Sequence, residues 1–234
     1  MPQSATGTVA EHLSSVNEHI ERIVKDHGRE PGCVSLLAVS KTKPSDLVRQ
    51  AAAVGHTAFG ENYVDEGVSK LKELADLKLT WHFIGHIQSN KTRVIASHYD
   101  WVQSVDRLKI AKRLAEHRST ELAPLNICIQ LKLDAEESKS GCATTELDEL
   151  ADYIDSSDTL SLRGLMAIPA PRSEFTEQRQ VFAELHSWYE KLRAAHASVD
   201  TLSMGMSGDM EAAIAEGATM VRIGTAVFGS REKR

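Results

Sequence analysis

The sequence predicts an α/β fold: a single (β/α)8 barrel of the TIM type with one extra helix at its N-terminus. Three observations carry that prediction. Apolar segments of strand length alternate with helical segments along all 234 residues, and strict alternation of this kind implies parallel strands joined by helical crossovers. Eight such apolar segments can be counted, the number that closes a barrel. No long Pro/Gly/Ser-rich linker divides the chain. One barrel typically needs about 250 residues, so residues 1–234 read as one domain.

Val9 to His27 opens the chain with Leu13, Val16, Ile20, Ile23 and Val24 on one helical stripe, and this helix is expected outside the barrel proper. Val34 to Ser40 is apolar and bounded by Gly32 and Pro44, the pattern of a buried strand. After Pro44, SDLVRQAAAVG reads as a helix closed by Gly55. Further strands are expected to begin near His56, Thr80, Asp100, Pro124, Ser161, Val199 and Thr219. Helices are expected near 62–75, 89–96, 106–117, 145–155, 174–196 and 208–216. The longest of them carries Phe175, Val181, Phe182, Leu185, Tyr189 and Leu192 along one face. A doubly wound open sheet is the rival, because a miscount of one strand would permit it. No GxGxxG follows the first strand, so a dinucleotide fold gains no support.

Composition narrows the function classes. A hydrophobic content of 41% with 26% charged residues is ordinary for a soluble globular chain. The net charge of −6 argues against nucleic acid as the main partner. No apolar run approaches the roughly 20 residues that span a membrane, and the N-terminus lacks the apolar core of a secretion signal; cytoplasm is the expected compartment. Cys33, Cys128 and Cys142 are far apart and not in CxxC form, so neither a disulfide framework nor a zinc site is expected. The ten histidines show no metal-ligand spacing.

Residues 202–229, LSMGMSGDMEAAIAEGATMVRIGTAVFG, have the parts of a phosphate site. A strand end leads into Ser207-Gly208 and a helix from about Asp209, and the following strand empties into Gly224-Thr225. Backbone N–H groups at a Gly turn or a helix start are natural anion donors, and the loops after strands 7 and 8 of such barrels often bind phosphate. Ser207 can act as helix N-cap, as phosphate donor, or as both. Far upstream, LLAVSKTKP puts Leu37, Val39 and Lys41 on one face of a strand, with Lys41 at its C-terminal rim. Such a lysine either snorkels to water or serves as a Schiff-base amine, and spacing alone leaves both open. Lys43 is a loop lysine or an electrostatic aid. A rim lysine and a phosphate cradle together point to a phosphorylated carbonyl cofactor, with pyridoxal 5′-phosphate (PLP) foremost.

Other motifs sit at strand-to-helix junctions. In FGENYVDE, Gly60 permits a tight turn and Asn62 either faces the cofactor ring or caps a helix. His82 and His86 of WHFIGHIQSNK straddle Gly85, so they do not share a helix face as metal ligands would. Packing and rim hydrogen bonds are the expectation for both. Met166 and Ile168 of LRGLMAIP are expected near the sixth strand's rim, as core filler or as apolar contact for the cofactor.

Taken in order, LLAVSKTKP, FGENYVDEG, WHFIGHIQSNK, LRGLMAIP and the 202–229 segment resemble the PLP homeostasis proteins of the YggS/PROSC type. The resemblance covers about residues 12 to 231. It implies a (β/α) barrel similar to the N-terminal domain of alanine racemase, binding PLP as a Schiff base and having no settled catalytic activity. Lys41, the lysine of the AVSKTKP motif, is then the covalent attachment point. The Arg222-x-Gly224 pattern resembles the racemase-type barrel, in which the arginine faces the pyridine nitrogen and the Gly turn binds phosphate; the alternative is a structural ion pair. The cofactor-binding set implied is Lys41, Asn62, Met166, Ser203, Ser207, Arg222, Gly224 and Thr225, with no catalytic residue and no metal ligand assigned.

Three functions are weighed: a protein that binds PLP and supplies it to apo-enzymes, a PLP-dependent racemase, and a cofactor-independent Schiff-base aldolase. The chain stops at Arg234, soon after the phosphate motif, so the second domain that completes a racemase site is not expected. The aldolase would need its lysine on the first strand and a sugar phosphate in place of PLP's. A PLP-binding and PLP-supplying monomer is the expectation.

Overall fold

A computed structural model gives the fold, described for residues 7–133 and 140–230. Eight parallel strands run in chain order: β1 (Ser35–Val39), β2 (Ala58–Glu61), β3 (Thr80–Phe83), β4 (Trp101–Val105), β5 (Leu125–Gln130), β6 (Leu160–Met166), β7 (Thr201–Ser203) and β8 (Met220–Ile223). β8 returns to pair with β1 through Ser35↔Met220, Leu36↔Val221, Leu37↔Arg222 and Ala38↔Ile223. That pairing closes the barrel and removes the open-sheet alternative.

The helices are α1 (Val9–Asp26), α2 (Ser45–Ala53), α3 (Val64–Glu73), α4 (Thr92–His98), α5 (Leu108–His117), α6 (Leu147–Asp155), α7 (Phe175–Ala195), α8 (Met210–Ala215) and α9 (Thr225–Phe228). α1 starts at a capping box, in which the Thr8 side chain accepts from the Glu11 N–H and Glu11 Oε2 accepts from the Thr8 N–H. Its predicted stripe is buried and packs on α2, α8 and α9, so this helix adds to the outer layer. In α7 the inward face is Phe182, Leu185, Tyr189 and Leu192. Phe175 departs from expectation: it lies at the helix start, is 39% exposed, and carries the Arg179 guanidinium over its ring at 5.9 Å.

Two apolar regions hold the barrel together. The larger lies between the sheet and the helices. A second, small one groups Leu37, Ile84 and Met220 with Val39 and Ala58 inside the barrel. Strand alternation explains the split, since Leu37 and Val39 point inward while Leu36 and Ala38 point to the helices. Gly164 marks the closest approach of β6 to β7. Its φ is +149°, and a Cβ there would collide with the Thr201 carbonyl. No helix among the described residues is long and apolar enough to cross a membrane.

Candidate functional site

At the C-terminal ends of the strands, a cavity of about 320 Å³ is lined by Val39, Lys41, Lys43, Asn62, Ile84 and Ile168 on one side. Met206, Ser207, Gly208, Arg222, Gly224, Thr225 and Gly229 complete it. This is the face where barrel sites form. The alternation predicted for the first strand holds in part: Val39 lines the cavity above inward-facing Leu37. β1 itself ends at Val39, so Lys41 projects from the turn that follows rather than from the strand.

The two turns read from 202–229 line the same cavity as Lys41. Ser207 and Gly208 border the cavity, but Ser207 is not the N-cap of α8. That position belongs to Asp209, and the Asp209 carboxylate accepts from the Met206 N–H at 2.6 Å, which closes the turn. Gly224 occupies the N-cap of the one-turn α9 and Thr225 its first residue. A Cβ on Gly224 would stand 3.0 Å from the Val39 carbonyl, so the backbone there presses against β1.

Arg222 rises from inside the barrel to the cavity floor and is 4% exposed. Its guanidinium donates to the Ser203 carbonyl at 2.7 Å, the Ser203 hydroxyl at 2.8 Å and the Ala167 carbonyl at 2.8 Å. These acceptors are neutral, so the ion-pair role weighed for Arg222 does not describe its contacts. Burial lowers its pKa to about 10, and Asp209 works against that fall. The group therefore remains cationic at neutral pH.

Ser203 is fully buried and outside the cavity lining; its hydroxyl donates to Gln103 Oε1 at 2.6 Å. Met166 is likewise fully buried and outside the lining, while Ile168, two residues on, reaches the cavity. Gln103 Nε2 in turn lies 2.9 Å from His82 Nδ1. His82 stacks on Trp101 with centroids 5.0 Å apart, and burial drives its pKa down to about 3. β3 and β4 lie across the barrel from β7 and β8, so this Arg222–Ser203–Gln103–His82 chain crosses the interior. Sequence reading missed it. The only local signals were Gln103 and His82, polar residues inside the apolar strands WVQSV and TWHF.

Asn62 borders the cavity and is not a helix cap, since Tyr63 holds that position on α3. Its side-chain Oδ1 is buried with no hydrogen-bond partner. Gly85 fixes the loop, because a Cβ there would collide with the Asn62 carbonyl. His86 is exposed, outside the cavity lining, with Nδ1 3.5 Å from the Ser140 hydroxyl.

Among the described residues, the lining thus contains three basic side chains, Lys41, Lys43 and Arg222, and no carboxylate, histidine or tyrosine. Glycine-rich turns and a lysine gathered in one cavity fit an anionic ligand that carries a carbonyl. Among the described residues, no group of three or more His, Cys, Asp or Glu could hold a metal ion.

The model of the alanine racemase N-terminal domain family matches residues 12–232. A protein of Pseudomonas aeruginosa named pyridoxal phosphate homeostasis protein is 55% identical over 96% of both chains. The Escherichia coli K12 protein of that name is 49% identical, over 96% of this chain and 97% of its own. Among solved structures, PipY of Synechococcus elongatus with PLP bound is 35% identical with a TM-score of 0.81, covering 95% of this chain and all of that one (100%). Alanine racemase from Corynebacterium glutamicum, at 16% identity and a TM-score of 0.69, covers 93% of this chain and 60% of its own, and shares the fold alone. With a family model spanning nearly the whole chain and relatives this similar end to end, the protein belongs to the alanine racemase N-terminal domain family and, within it, to the pyridoxal phosphate homeostasis proteins.

Proposed function

We propose that this protein binds PLP in the barrel-mouth cavity, holds it as a Schiff base on Lys41, and supplies it to other enzymes. The observation that carries this reading is the single cavity lined together by Lys41, Ser207, Gly208, Gly224, Thr225 and Arg222. The Gly turns and Ser207 would hold the phosphate. Asn62 would face the ring, and Ile84 and Ile168 would supply apolar contact. Met166 and Ser203 would act from behind, Ser203 by holding Arg222. The names of the relatives and the PLP bound in PipY support the same reading.

Bound PLP supplies an aldehyde that condenses with primary amines. Around it, this chain offers little proton chemistry. A guanidinium cannot accept a proton, so Arg222 beneath the ring nitrogen would leave that nitrogen unprotonated and weaken the ring as an electron sink. Among the described residues, the lining has no carboxylate, histidine or tyrosine to act as a second base. Racemase-like turnover is therefore the weaker reading, and storage with release the stronger.

Borohydride reduction of the PLP-loaded protein followed by peptide mapping tests the assignment. The pyridoxyl group is expected on Lys41, and Lys41→Ala should lose it while remaining folded. A label on another lysine would overturn the assignment.

A further inference from the structure

Thr42, directly after Lys41, has φ +61°, and it is the only non-glycine residue with positive φ among those described. The left-handed region is unfavourable for a β-branched side chain, so its surroundings must hold it there. The holding group is on α3. The Thr42 N–H donates to Glu66 Oε1 at 2.6 Å, and the same oxygen accepts from Lys70 Nζ at 2.6 Å, one helical turn on.

Lys70 is 5% exposed, and its ammonium also donates to the Ser40 carbonyl at 2.6 Å and to Glu61 Oε1 at 2.8 Å. The Ser40 hydroxyl donates to that Glu61 oxygen at 2.6 Å. All three ammonium donors thus have acceptors. Both backbone neighbours of Lys41 are tied to this one cluster: Ser40 through its carbonyl and hydroxyl, Thr42 through its amide. None of Ser40, Thr42, Glu61, Glu66 or Lys70 lines the cavity. Buried ion pairs seldom add net stability over apolar packing. What this one visibly fixes is the backbone on either side of the lysine.

We propose that Glu66, anchored by Lys70, is a positioning residue for Lys41. It holds the Thr42 turn in its left-handed form, and that turn aims the Lys41 amine into the cavity. The inference rests on Lys41 being the residue that takes the aldehyde, its amine condensing with the carbonyl and one water leaving.

The test compares wild type, Glu66→Ala, and Glu66→Ala with Thr42→Gly, starting from PLP-free protein. Two quantities are read: the rate at which PLP becomes reducible onto Lys41, and the Kd for pyridoxine 5′-phosphate, which keeps ring and phosphate but has no aldehyde. The Glu66 side chain is 31% exposed, so its truncation is compatible with folding. Glu66→Ala should slow attachment at least tenfold and change the pyridoxine 5′-phosphate Kd less than threefold. Adding Thr42→Gly should bring attachment to within about threefold of wild type, because glycine adopts positive φ without steric cost. Attachment at the wild-type rate in Glu66→Ala would overturn the proposal, as would an equal loss of pyridoxine 5′-phosphate binding or no recovery with Thr42→Gly. Wild-type protein labelled on a lysine other than Lys41 would instead reject the underlying reading of the site, and this inference with it.

Discussion

His82 is a histidine kept neutral inside a barrel, and its titration should be visible in the stability of the protein. Burial lowers its pKa from 6.5 to about 3, and Gln103 at 2.9 Å from Nδ1 requires an unprotonated ring nitrogen. Between those two values the unfolded chain binds a proton that the folded protein does not. Stability must then rise with pH across this window and fall as pH drops from about 6.5 towards 3. The limiting slope is about 1.4 kcal/mol per pH unit, and the full loss is up to about 5 kcal/mol. His56, lowered chiefly by burial, adds a contribution of the same sign, so the informative quantity is the difference between variants. Urea unfolding at pH 7, 6, 5 and 4 should give a shallower acid slope for His82→Gln, which retains an acceptor for Gln103. Identical slopes in variant and wild type would show that His82 is not the group that titrates. Arg222 behaves oppositely in practice: with its pKa at about 10 it keeps its charge throughout this range.

At the scale of elements, the loop between β2 and α3 is held by the close approach of Gly85 to Asn62. The Ile84 N–H donates to the Glu61 carbonyl at 2.9 Å just before it, and a Cβ on Gly85 would collide with the Asn62 carbonyl. Gly85→Ala should therefore displace the loop, destabilise the protein by about 1–3 kcal/mol as overpacking does, and weaken PLP retention through Asn62. A melting curve and the intensity of the bound-cofactor absorbance check both parts; an unchanged melting temperature would show that the contact is not tight. This loop also illustrates what the sequence could and could not tell. Strand and helix positions were legible because alternation and the helical stripe are local patterns, and six of the residues implied as cofactor contacts border one cavity: Lys41, Asn62, Ser207, Arg222, Gly224 and Thr225. The N-cap readings of Ser207 and Asn62 failed by one or two residues, because capping depends on local φ and ψ that residue type only biases. The interior chain was illegible for a different reason: Ser203 and Gln103 stand 100 residues apart, and only barrel closure brings them together. Met166 and Ser203, also implied as contacts, are fully buried and outside the lining.

The whole molecule is a barrel in which one mouth cavity gathers Lys41, Arg222 and both glycine turns, and the chemistry of that cavity bears on what the protein can do with PLP. Among the described residues, its lining provides three basic side chains and neither a carboxylate nor a histidine. On the proposed reading such a site would hold a phosphate and capture an aldehyde, with no described lining residue placed to carry a substrate proton away and return it on the other face. The loaded protein should therefore show turnover far below the roughly 1–1000 per second of ordinary enzymes when offered the common amino acids. It should nevertheless reactivate an apo-PLP enzyme, because passing the aldehyde from Lys41 to another amine would move protons only between the two nitrogens and none at a substrate carbon. Both assays use the same preparation: racemase and transaminase turnover across the amino acids, and recovery of activity by an apo-enzyme mixed with the loaded protein. A Lys41→Ala control separates covalently stored PLP from PLP carried by the cradle alone, and should deliver markedly less after gel filtration. Turnover in the ordinary enzyme range would overturn the supply reading in favour of a racemase-like one. Failure to reactivate, with PLP still bound on Lys41, would remove the supply role and leave a protein that only stores the cofactor.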